Sequence, residues 1–332
     1  MRNGITIPLE PFQNPHFGEL IRAADMLGYT NAWTYESFGA DAFAPAAAAA
    51  VLSERMRIGA AIVPVYTRPA PLIAMSAVTV NQLAGGRFIL GLGVSTPAIV
   101  EQWMGIPYRK PITKMRETVA ALRAIFRGEK VTVDGELVKI NGFRLDIPID
   151  SPPKIYIGAQ GSKMHRLAGE IADGLIVNFV TPSALPKMLD HTRNAMREAG
   201  KDPSTLDVVC RILIAIDEDE ALARTLMRRS LTAYVTVPQY NAYFREIGYA
   251  AEAEASIGAW QAGDRKRAVE CVSEEMVDNI FVIGTAAQCR RRLDEYARAG
   301  ITATALQFFT LSRDPAERRA RIIQAMVKLA AA

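Results

Sequence analysis

The sequence predicts a (β/α)8 barrel, the TIM-barrel fold, and three observations lead to this prediction. Short apolar runs alternate with longer amphipathic segments along nearly the whole chain, which is typical of parallel strands connected by helices. Eight such strand–helix units can be counted, and eight is the number that closes a parallel barrel. The chain of 332 residues is also long enough for one barrel with insertions.

The eight predicted strands are apolar and rich in β-branched residues, as expected of strands that are covered on both faces. They are NGITIPL (3–9), NAWTYE (31–36), RIGAAIVPV (57–65), GRFILGLG (86–93), PKIYIGA (153–159), GLIVNF (174–179), DVVCRILIAI (207–216) and ATALQFF (303–309). Helices are predicted near 17–28, 43–54, 71–83, 112–126, 162–172, 186–199, 218–276, 286–299 and 316–329, since apolar residues recur there at intervals of three and four.

Two insertions are expected in a single barrel domain that spans residues 1–332. The first, about 129–150, alternates apolar and polar residues around Asp134-Gly135, which is a strong signal of a β-hairpin. The second, about 240–276, is the candidate for a helical cover over the substrate, although its aromatic residues Tyr243, Phe244 and Trp260 are more typical of helix packing.

Composition excludes several classes of protein. The net charge of +4 is small and the basic residues are scattered, so we expect no nucleic-acid partner. No apolar run is long enough to span a membrane, and the N-terminus has no signal-peptide pattern. Three cysteines and three histidines are far apart, which favours a reducing cytoplasm and argues against a metal site.

The stretch GRFILGLGVSTP (86–97) could belong to a dinucleotide-binding turn or to the end of a barrel strand. A dinucleotide-binding fingerprint requires a third glycine three residues after Gly93, where this chain has Thr96. In a barrel, the same residues form the end of the fourth strand, where glycines allow close approach of a flat ligand. Ser95 or Thr96, followed by Pro97, is then predicted to be a helix N-cap, and a purely structural role as a cap is the alternative.

Several phrases resemble one family of barrel enzymes. They are GGRFILGLG (85–93), YRKPITKMRETVAALRAIFRGEKVTVDGE (108–136) and IGAQGSKMHRLAGEIADGLIVN (157–178). The chain is similar to the bacterial-luciferase-like oxidoreductases, and most similar to their branch that uses the deazaflavin coenzyme F420, which includes methylenetetrahydromethanopterin reductase-like enzymes. The resemblance extends over nearly the whole chain, from about residue 4 to about residue 308.

The resemblance implies a cofactor at the carboxyl ends of the barrel strands. A non-prolyl cis peptide at Ala61–Ile62 would support its central ring, next to Val63. Its side chain would lie along Gly93, Val94 and Ser95, and its phosphate would meet the backbone of Gly158, Ala159, Gln160 and Gly161, with the following helix capped by Ser162. Asn178 would face the same space, and Glu36 would contact the polar edge of the ring or act as a general acid.

The chain departs from the family pattern at the groups that handle protons. The methanopterin reductases have carboxylates at the places of Thr6 and Thr96, while Glu36 keeps an acid on the second strand. We therefore regard Glu36, Thr6 and Thr96 as candidate catalytic residues. Because a hydroxyl is a poor general acid near pH 7, we expect a reaction or a substrate different from that of those enzymes.

The resemblance thus implies hydride transfer between C5 of coenzyme F420 and a small organic substrate with a C=C, C=N or C=O bond, or the corresponding alcohol. Two alternatives remain: an FMN-dependent monooxygenase on the same fold, and a non-catalytic barrel that only binds a cofactor. Ala- and Met-rich helices near the second and third strands also predict a homodimer or a higher homo-oligomer.

Overall fold

The computed structural model of the chain describes residues 1–7, 16–37 and 39–330. The last two residues of the predicted first strand, 8 and 9, lie outside these ranges. The described strands are β1 (Gly4–Thr6), β2 (Asn31–Thr34), β3 (Arg57–Ala60), β4 (Val63–Pro64), β5 (Phe88–Gly93), β6 (Val131–Asp134), β7 (Lys139–Phe143), β8 (Lys154–Gly158), β9 (Gly174–Asn178), β10 (Val208–Ile216), β11 (Val282–Gly284) and β12 (Ala303–Phe308).

The described helices agree closely with the periodic segments of the sequence. They are α1 (His16–Met26), α2 (Phe43–Leu52), α3 (Ala70–Leu83), α4 (Pro111–Phe126), α5 (Ser162–Ile171), α6 (Leu185–Glu198), α7 (Glu220–Val235), α8 (Pro238–Glu246), α9 (Ala250–Gln261), α10 (Arg265–Glu270), α11 (Glu274–Ile280), α12 (Ala286–Arg298) and α13 (Pro315–Ala330). A π-helical segment (Ala98–Trp103) and a 3₁₀ turn (Pro203–Thr205) complete the described helical structure.

Parallel pairing closes the barrel in the order β1-β2-β3-β5-β8-β9-β10-β12, because β9 pairs with β10 and β12 returns to β1. The predicted (β/α)8 barrel is confirmed. The short strand β4 continues the third unit beside β5, and β11 adds to the outer edge of β10. The sequence did not predict β11.

Side chains fill the interior of the barrel rather than leaving a pore. Trp33 and Tyr156 are both about 1% exposed there, with their ring centroids 6.5 Å apart. Two glycines make room for these rings, since a Cβ on Gly59 would lie 2.3 Å from the Trp33 ring and a Cβ on Gly174 would lie 2.5 Å from the Tyr156 ring. Large and small residues on facing strands therefore interdigitate.

The hairpin insertion is attached to α4 by one carboxylate. Glu117 accepts hydrogen bonds of 2.8 Å from the backbone N–H groups of Glu136, Leu137 and Val138. A Cβ on Gly135 would lie 2.7 Å from the Glu117 carboxylate, so a larger residue there would push the carboxylate away from these bonds. The hairpin is thus attached to α4 through Glu117.

The region predicted as a long helical stretch, 218–276, is helical but is divided. It contains five helices, α7 to α11. Pro238 begins α8, and Gly248 and Gly263 follow α8 and α9 with φ of 109° and 85°. Proline cannot continue a helix and glycine favours positive φ at helix ends, so these residues divide the segment.

Candidate active site

The carboxyl ends of the barrel strands meet at one end of the molecule, which we call the barrel mouth. Each predicted site residue lies on, or within three residues after, the carboxyl end of one of β1, β2, β3, β5, β8 and β9. Active sites of TIM barrels are built at this end from the loops that follow the strands. The backbone topology therefore brings the predicted residues to the barrel mouth. Their side-chain contacts show which of them already have partners within the protein.

The Ala61–Ile62 peptide bond is cis, at the position between β3 and β4 that the resemblance implies. Both side chains are half-buried and pack against the interior cluster of the barrel, while Val63 is fully buried. A Cβ on Gly93 would lie 2.5 Å from the Ile62 side chain, and one on Gly158 would lie 3.0 Å from it. The sequence predicted that a ligand would lie close to the backbone at Gly93. In this structure, the Ile62 side chain lies there instead.

Three non-glycine residues with positive φ lie just after strands at the mouth. Ser95 (φ 58°) follows β5, Phe179 (φ 52°) follows β9 and Asp217 (φ 54°) follows β10. This conformation is uncommon for residues other than glycine and is unusual for a bulky residue such as phenylalanine. Such backbone conformations cluster at functional sites, and they support an active site at this end.

The segment after β5 is helical from Pro97, and its π-helical part spans Ala98–Trp103. Thr96 Oγ1 accepts a long bond of 3.4 Å from the Ile99 N–H, and the Thr96 carbonyl accepts one from the Val100 N–H. Of the two predicted N-caps, Thr96 thus has the contacts of a cap, with Pro97 at the first helical position. Thr96 and Val94 are half-buried next to the mouth.

The turn from β8 into α5 offers backbone donors. Gly161 is the N-cap of α5 and Ser162 is its first residue, without a side-chain cap, so the predicted capping by Ser162 is wrong. The first intrahelical bonds are donated by Met164 and His165 to the Gly161 carbonyl, which leaves the earlier N–H groups outside the helix ladder. A Cβ on Gly161 would meet no atom within 4 Å. These features fit a phosphate at the helix N-terminus.

The Ala159 N–H of this turn is not free, because it donates to the Ile176 carbonyl within the barrel sheet. Beside it, the side chains of Gln160 and Asn178 form a polar pair. The Gln160 Nε2 donates to the Asn178 Oδ1 at 3.0 Å. The Tyr240 hydroxyl hydrogen-bonds with both side chains, and burial raises the pKa of Tyr240 above its ordinary value. Tyr240 therefore stays a neutral hydrogen-bonding group at working pH.

The aromatic residues of the helical insertion pack over the end of β9. Phe179 contacts Tyr234 with a centroid separation of 4.5 Å, and Tyr243 and Phe244 are buried. Trp260 is 36% exposed and is covered by the guanidinium of Arg265. The helix-packing interpretation therefore holds for Tyr243 and Phe244, while Tyr240 is the residue of this insertion that reaches the polar pair.

Glu36 lies in a network of its own. Its carboxylate forms an ion pair of 2.6 Å with Arg68, and the two side chains are only 12% and 19% exposed. It also accepts a hydrogen bond of 3.2 Å from the Ala42 N–H and a long one of 3.4 Å from Thr67. In this structure, Glu36 therefore connects the loops that follow β2 and β4. Its contact with a cofactor stays a prediction.

The Thr6 hydroxyl is also occupied. It donates to the Ala305 carbonyl at 2.9 Å, and the residue is 5% exposed. A hydroxyl that is buried and already donating to the backbone is poorly placed to deliver a proton to a ligand. The part of Thr6 in catalysis therefore stays a prediction that this geometry does not favour.

Sequence reasoning missed a charged residue at the mouth, Arg211 on β10. Its guanidinium donates to the Gln307 Oε1 and lies 4.1 Å from the centroid of the Tyr35 ring. The register places Arg211 beside Asn178 of β9 and Ala305 of β12. A polar residue inside the apolar run VVCRILIAI was the signal that could have found it.

A cleft of about 640 Å³ opens at the opposite end of the barrel, lined in part by Arg123, Lys154, Asp173 and Lys201. Arg123 pairs with Asp173 at 2.9 Å, so part of the cleft's charge is already balanced. The cleft lies at the amino ends of β8 and β9, and this end of a barrel usually serves stability. We therefore place the candidate active site at the mouth rather than in this cleft.

No group of three or more His, Cys, Asp or Glu residues within the described ranges could hold a metal ion. None of the helices in the described part of the chain is long and apolar enough to cross a membrane.

Comparisons with known proteins agree with the fold and identify the family. The family model described as luciferase-like monooxygenase matches residues 2–303, so the chain belongs to this family, and the resemblance seen in the sequence is confirmed. The 5,10-methylenetetrahydromethanopterin reductase of Methanolobus tindarius is 31% identical over 300 residues, which cover 89% of this chain and 90% of that protein.

A second relative and a solved structure extend the comparison. A putative coenzyme F420-dependent oxidoreductase of Mycobacterium tuberculosis is 28% identical over 323 residues, covering 88% of this chain and 90% of that protein. The structure of the coenzyme F420-dependent tetrahydromethanopterin reductase from Methanopyrus kandleri superposes with a TM-score of 0.80 at 23% identity and covers 99% of this chain and 97% of that chain. At that identity the structural match supports the shared fold.

Proposed function

We propose that this chain is a coenzyme F420-dependent oxidoreductase that transfers a hydride between the coenzyme and a small organic substrate. The reacting bond of the substrate would be C=C, C=N or C=O, or the corresponding alcohol in the reverse direction. The observation that carries the proposal is the 31% identity, over 89% of the chain, with a methylenetetrahydromethanopterin reductase. The relative named as a putative F420-dependent oxidoreductase supports the choice of cofactor.

The residues at the mouth fit such a cofactor. The uncapped N-terminus of α5, at Gly161, would hold its phosphate, and Ile62 beside the cis peptide would support its ring. Gln160 and Asn178 supply neutral amide groups for its polar atoms. The reduced deazaflavin, when bound, supplies a hydride from its C5. The protein's part is to position the substrate against that atom and to exclude water.

Two of the candidate groups for proton transfer, Glu36 and Thr6, already have partners within the protein. Glu36 is neutralised by Arg68, and the Thr6 hydroxyl already donates to the backbone. We infer that these two residues maintain the shape of the mouth, and that orientation of the substrate contributes more to the rate than an enzyme acid.

The first experiment is a pair of titrations of the purified protein, one with coenzyme F420 and one with FMN, followed by quenching of tryptophan fluorescence. We expect saturable binding of F420 and at least tenfold weaker binding of FMN. The variant Gly161→Glu places a negative charge at the N-terminus of α5, where the backbone has room for a side chain, and should weaken F420 binding at least tenfold.

Asn194→Glu, which adds the same charge on the exposed face of α6, is the matched control and should bind F420 like the wild type. Tight binding of FMN alone would instead favour a monooxygenase, the activity in the name of the family whose model matches residues 2–303. Binding of F420 without turnover of any enone, imine or alcohol would favour the non-catalytic barrel.

We also propose that the protein forms a homodimer through α2 and α3 and is located in the cytoplasm. Val51, Leu72, Met75 and Leu83 on these helices are 64%, 44%, 47% and 47% exposed, and clustered exposed apolar residues often mark an interface. The three cysteines are free thiols, as is usual in a reducing compartment.

Sedimentation equilibrium should give a mass twice that of the 36.3 kDa chain. Met75→Glu should shift the protein towards monomer, because it buries a charge in the proposed interface. The control is Leu222→Glu, at a residue on α7 that is 46% exposed. A monomeric wild type, or equal behaviour of the two variants, would rule out this interface.

A further inference from the structure

Arg211 lies inside the barrel rather than on its surface. Side chains alternate along β10, and Val209 belongs to the interior cluster of the barrel, so Arg211 faces the same interior one layer closer to the mouth. The residue is half-buried, and its Nε atom is fully buried without a hydrogen-bond partner among the described residues. One nitrogen of the guanidinium donates to Gln307, and its plane lies over Tyr35.

Among the described residues, none provides a counter-charge for Arg211. In the described part of the chain, no carboxylate lies within 4.0 Å of its guanidinium, whereas Arg68 at the same end is paired with Glu36. An arginine stays protonated at any working pH, and a buried charge without a partner is costly. Gln307 fixes the orientation of the guanidinium but, as a neutral amide, does not balance its charge.

Arg211 lies across the mouth from the Ala61–Ile62 peptide that the predicted cofactor ring would contact. In the closed order of strands, β10 is the seventh barrel strand and β3 is the third, so the two lie on opposite sides of the ring. The neighbours of Arg211, Gln307 and Tyr35, lie on β12 and directly after β2. Two predicted cofactor residues are also near, since Asn178 is beside Arg211 in the register and Glu36 follows Tyr35, so Arg211 faces the mouth at the edge of the predicted cofactor site.

We infer that Arg211 binds the carboxylate of a small organic acid, so that the substrate is an unsaturated or oxo acid, or the corresponding hydroxy acid. The reaction itself rests on the proposed function. A carboxylate is favoured over a phosphate group because it is a planar anion with one charge, which a single guanidinium can balance through two parallel hydrogen bonds. The half-buried guanidinium has N–H donors left after the bond to Gln307.

The test measures binding of crotonate and 2-oxobutyrate, each against its neutral primary amide, by saturation-transfer NMR titration. The titrations are run with and without saturating coenzyme F420, so that a protein that binds no F420 still gives a readout for Arg211. The variants are Arg211→Gln and Arg211→Lys, with Arg144→Gln as the matched control, because Arg144 is exposed and lies beyond the hairpin.

We expect the wild type and Arg144→Gln to bind at least one acid tenfold or more tightly than its amide. Arg211→Gln should lose this preference while its affinity for F420 changes less than twofold, and Arg211→Lys should keep part of it. Because Arg211→Gln removes an unbalanced charge, its Tm should be equal to or above that of the wild type. A purely structural arginine would lower Tm when removed.

Three results would overturn the inference. They are equal affinity of the wild type for both acids and their amides, unchanged acid preference in Arg211→Gln, and a parallel loss of F420 binding in Arg211→Gln. The last result would assign Arg211 to the coenzyme instead. Failure of F420 to bind the wild type, with the acid preference intact, would contradict the proposed function and leave Arg211 as an anion-binding residue.

Discussion

His165 is a residue at which burial makes stability depend on pH. It lies on α5 and is about 1% exposed, with its Nδ1 3.0 Å from the Thr192 Oγ1. Its Nε2 has no partner among the described residues. Burial, assisted by the nearby His191, lowers the pKa of His165 to about 4. The folded protein therefore keeps this imidazole neutral where an unfolded chain would protonate it.

This arrangement predicts loss of stability in mild acid. Between the unfolded pKa of about 6.5 and the folded pKa of about 4, the unfolded chain binds a proton that the native state does not. The contribution is complete above about pH 6.5 and declines by up to about 3 kcal/mol as pH falls towards 4. Urea unfolding at several pH values measures it. His165→Gln should flatten this part of the profile.

His191→Gln, which removes a half-exposed imidazole on the neighbouring α6, should leave most of the pH dependence in place. Equal profiles for the wild type and His165→Gln would show that another group controls the acid sensitivity.

At the level of elements, the sequence predicts what depends on local periodicity. The apolar spacing of Ile112, Met115, Val119, Leu122 and Phe126 corresponds to α4, which spans Pro111–Phe126. Each barrel strand was likewise recognisable as an apolar run, because a strand covered on both faces needs no polar residues. These patterns are set by neighbours in the sequence and by burial.

The errors at this level have different causes. The division of 218–276 was readable from Pro238, Gly248 and Gly263, and was missed because apolar spacing continues across the breaks. The π-helical segment after Pro97 could not be read from periodicity, since six residues are too few to separate one helical period from another. The strand β11 has only three residues and depends on pairing with β10.

The candidate site could also be predicted only in part, in its backbone positions but not in its side-chain contacts. Strand ends could be placed from the sequence, and with them Gly161 and Asn178. Ile62 lay inside the predicted third strand, 57–65, and was singled out only by the family resemblance. The side-chain partners could not, because Glu36 meets Arg68 across 32 positions and Arg211 meets Gln307 across 96. Such pairs depend on barrel register and on rotamers, which no local pattern encodes.

On the scale of the whole molecule, the two ends of the barrel differ in whether a partly buried charge is paired. At the mouth, Arg211 has no counter-charge among the described residues. At the opposite end, Asp207 is paired with Arg2 and, at 3.6 Å, with Arg57, and it accepts hydrogen bonds from Thr302 and from Tyr156, the latter at 2.5 Å. The charge of Asp207 is thus balanced within the protein, whereas that of Arg211 is not, in keeping with the division between stability and function in TIM barrels.

Asp207 connects the amino ends of several barrel strands, so its removal should weaken the whole barrel. Burial alone would raise the pKa of Asp207, but hydrogen bonds from Thr302 and Tyr156, together with the Arg2 guanidinium, hold it below its ordinary value. The ionised carboxylate therefore stabilises the fold above about pH 4, and this contribution is lost as pH falls through the lowered pKa. Asp207→Asn should reduce the free energy of unfolding by about 2–4 kcal/mol at pH 7, since it leaves partly buried arginines unpaired.

Urea unfolding measures this effect, with Asp134→Asn as the control. The side chain of Asp134 is 91% exposed in its ion pair with Lys139, so its replacement should leave the free energy of unfolding almost unchanged. Since Asp207 is at the end of the barrel away from the mouth, Asp207→Asn should change the affinity for coenzyme F420 less than twofold. A loss of coenzyme binding with the fold intact would show that the two ends are coupled. A destabilisation no larger than that of the control would show that the Asp207 network does not hold the barrel closed.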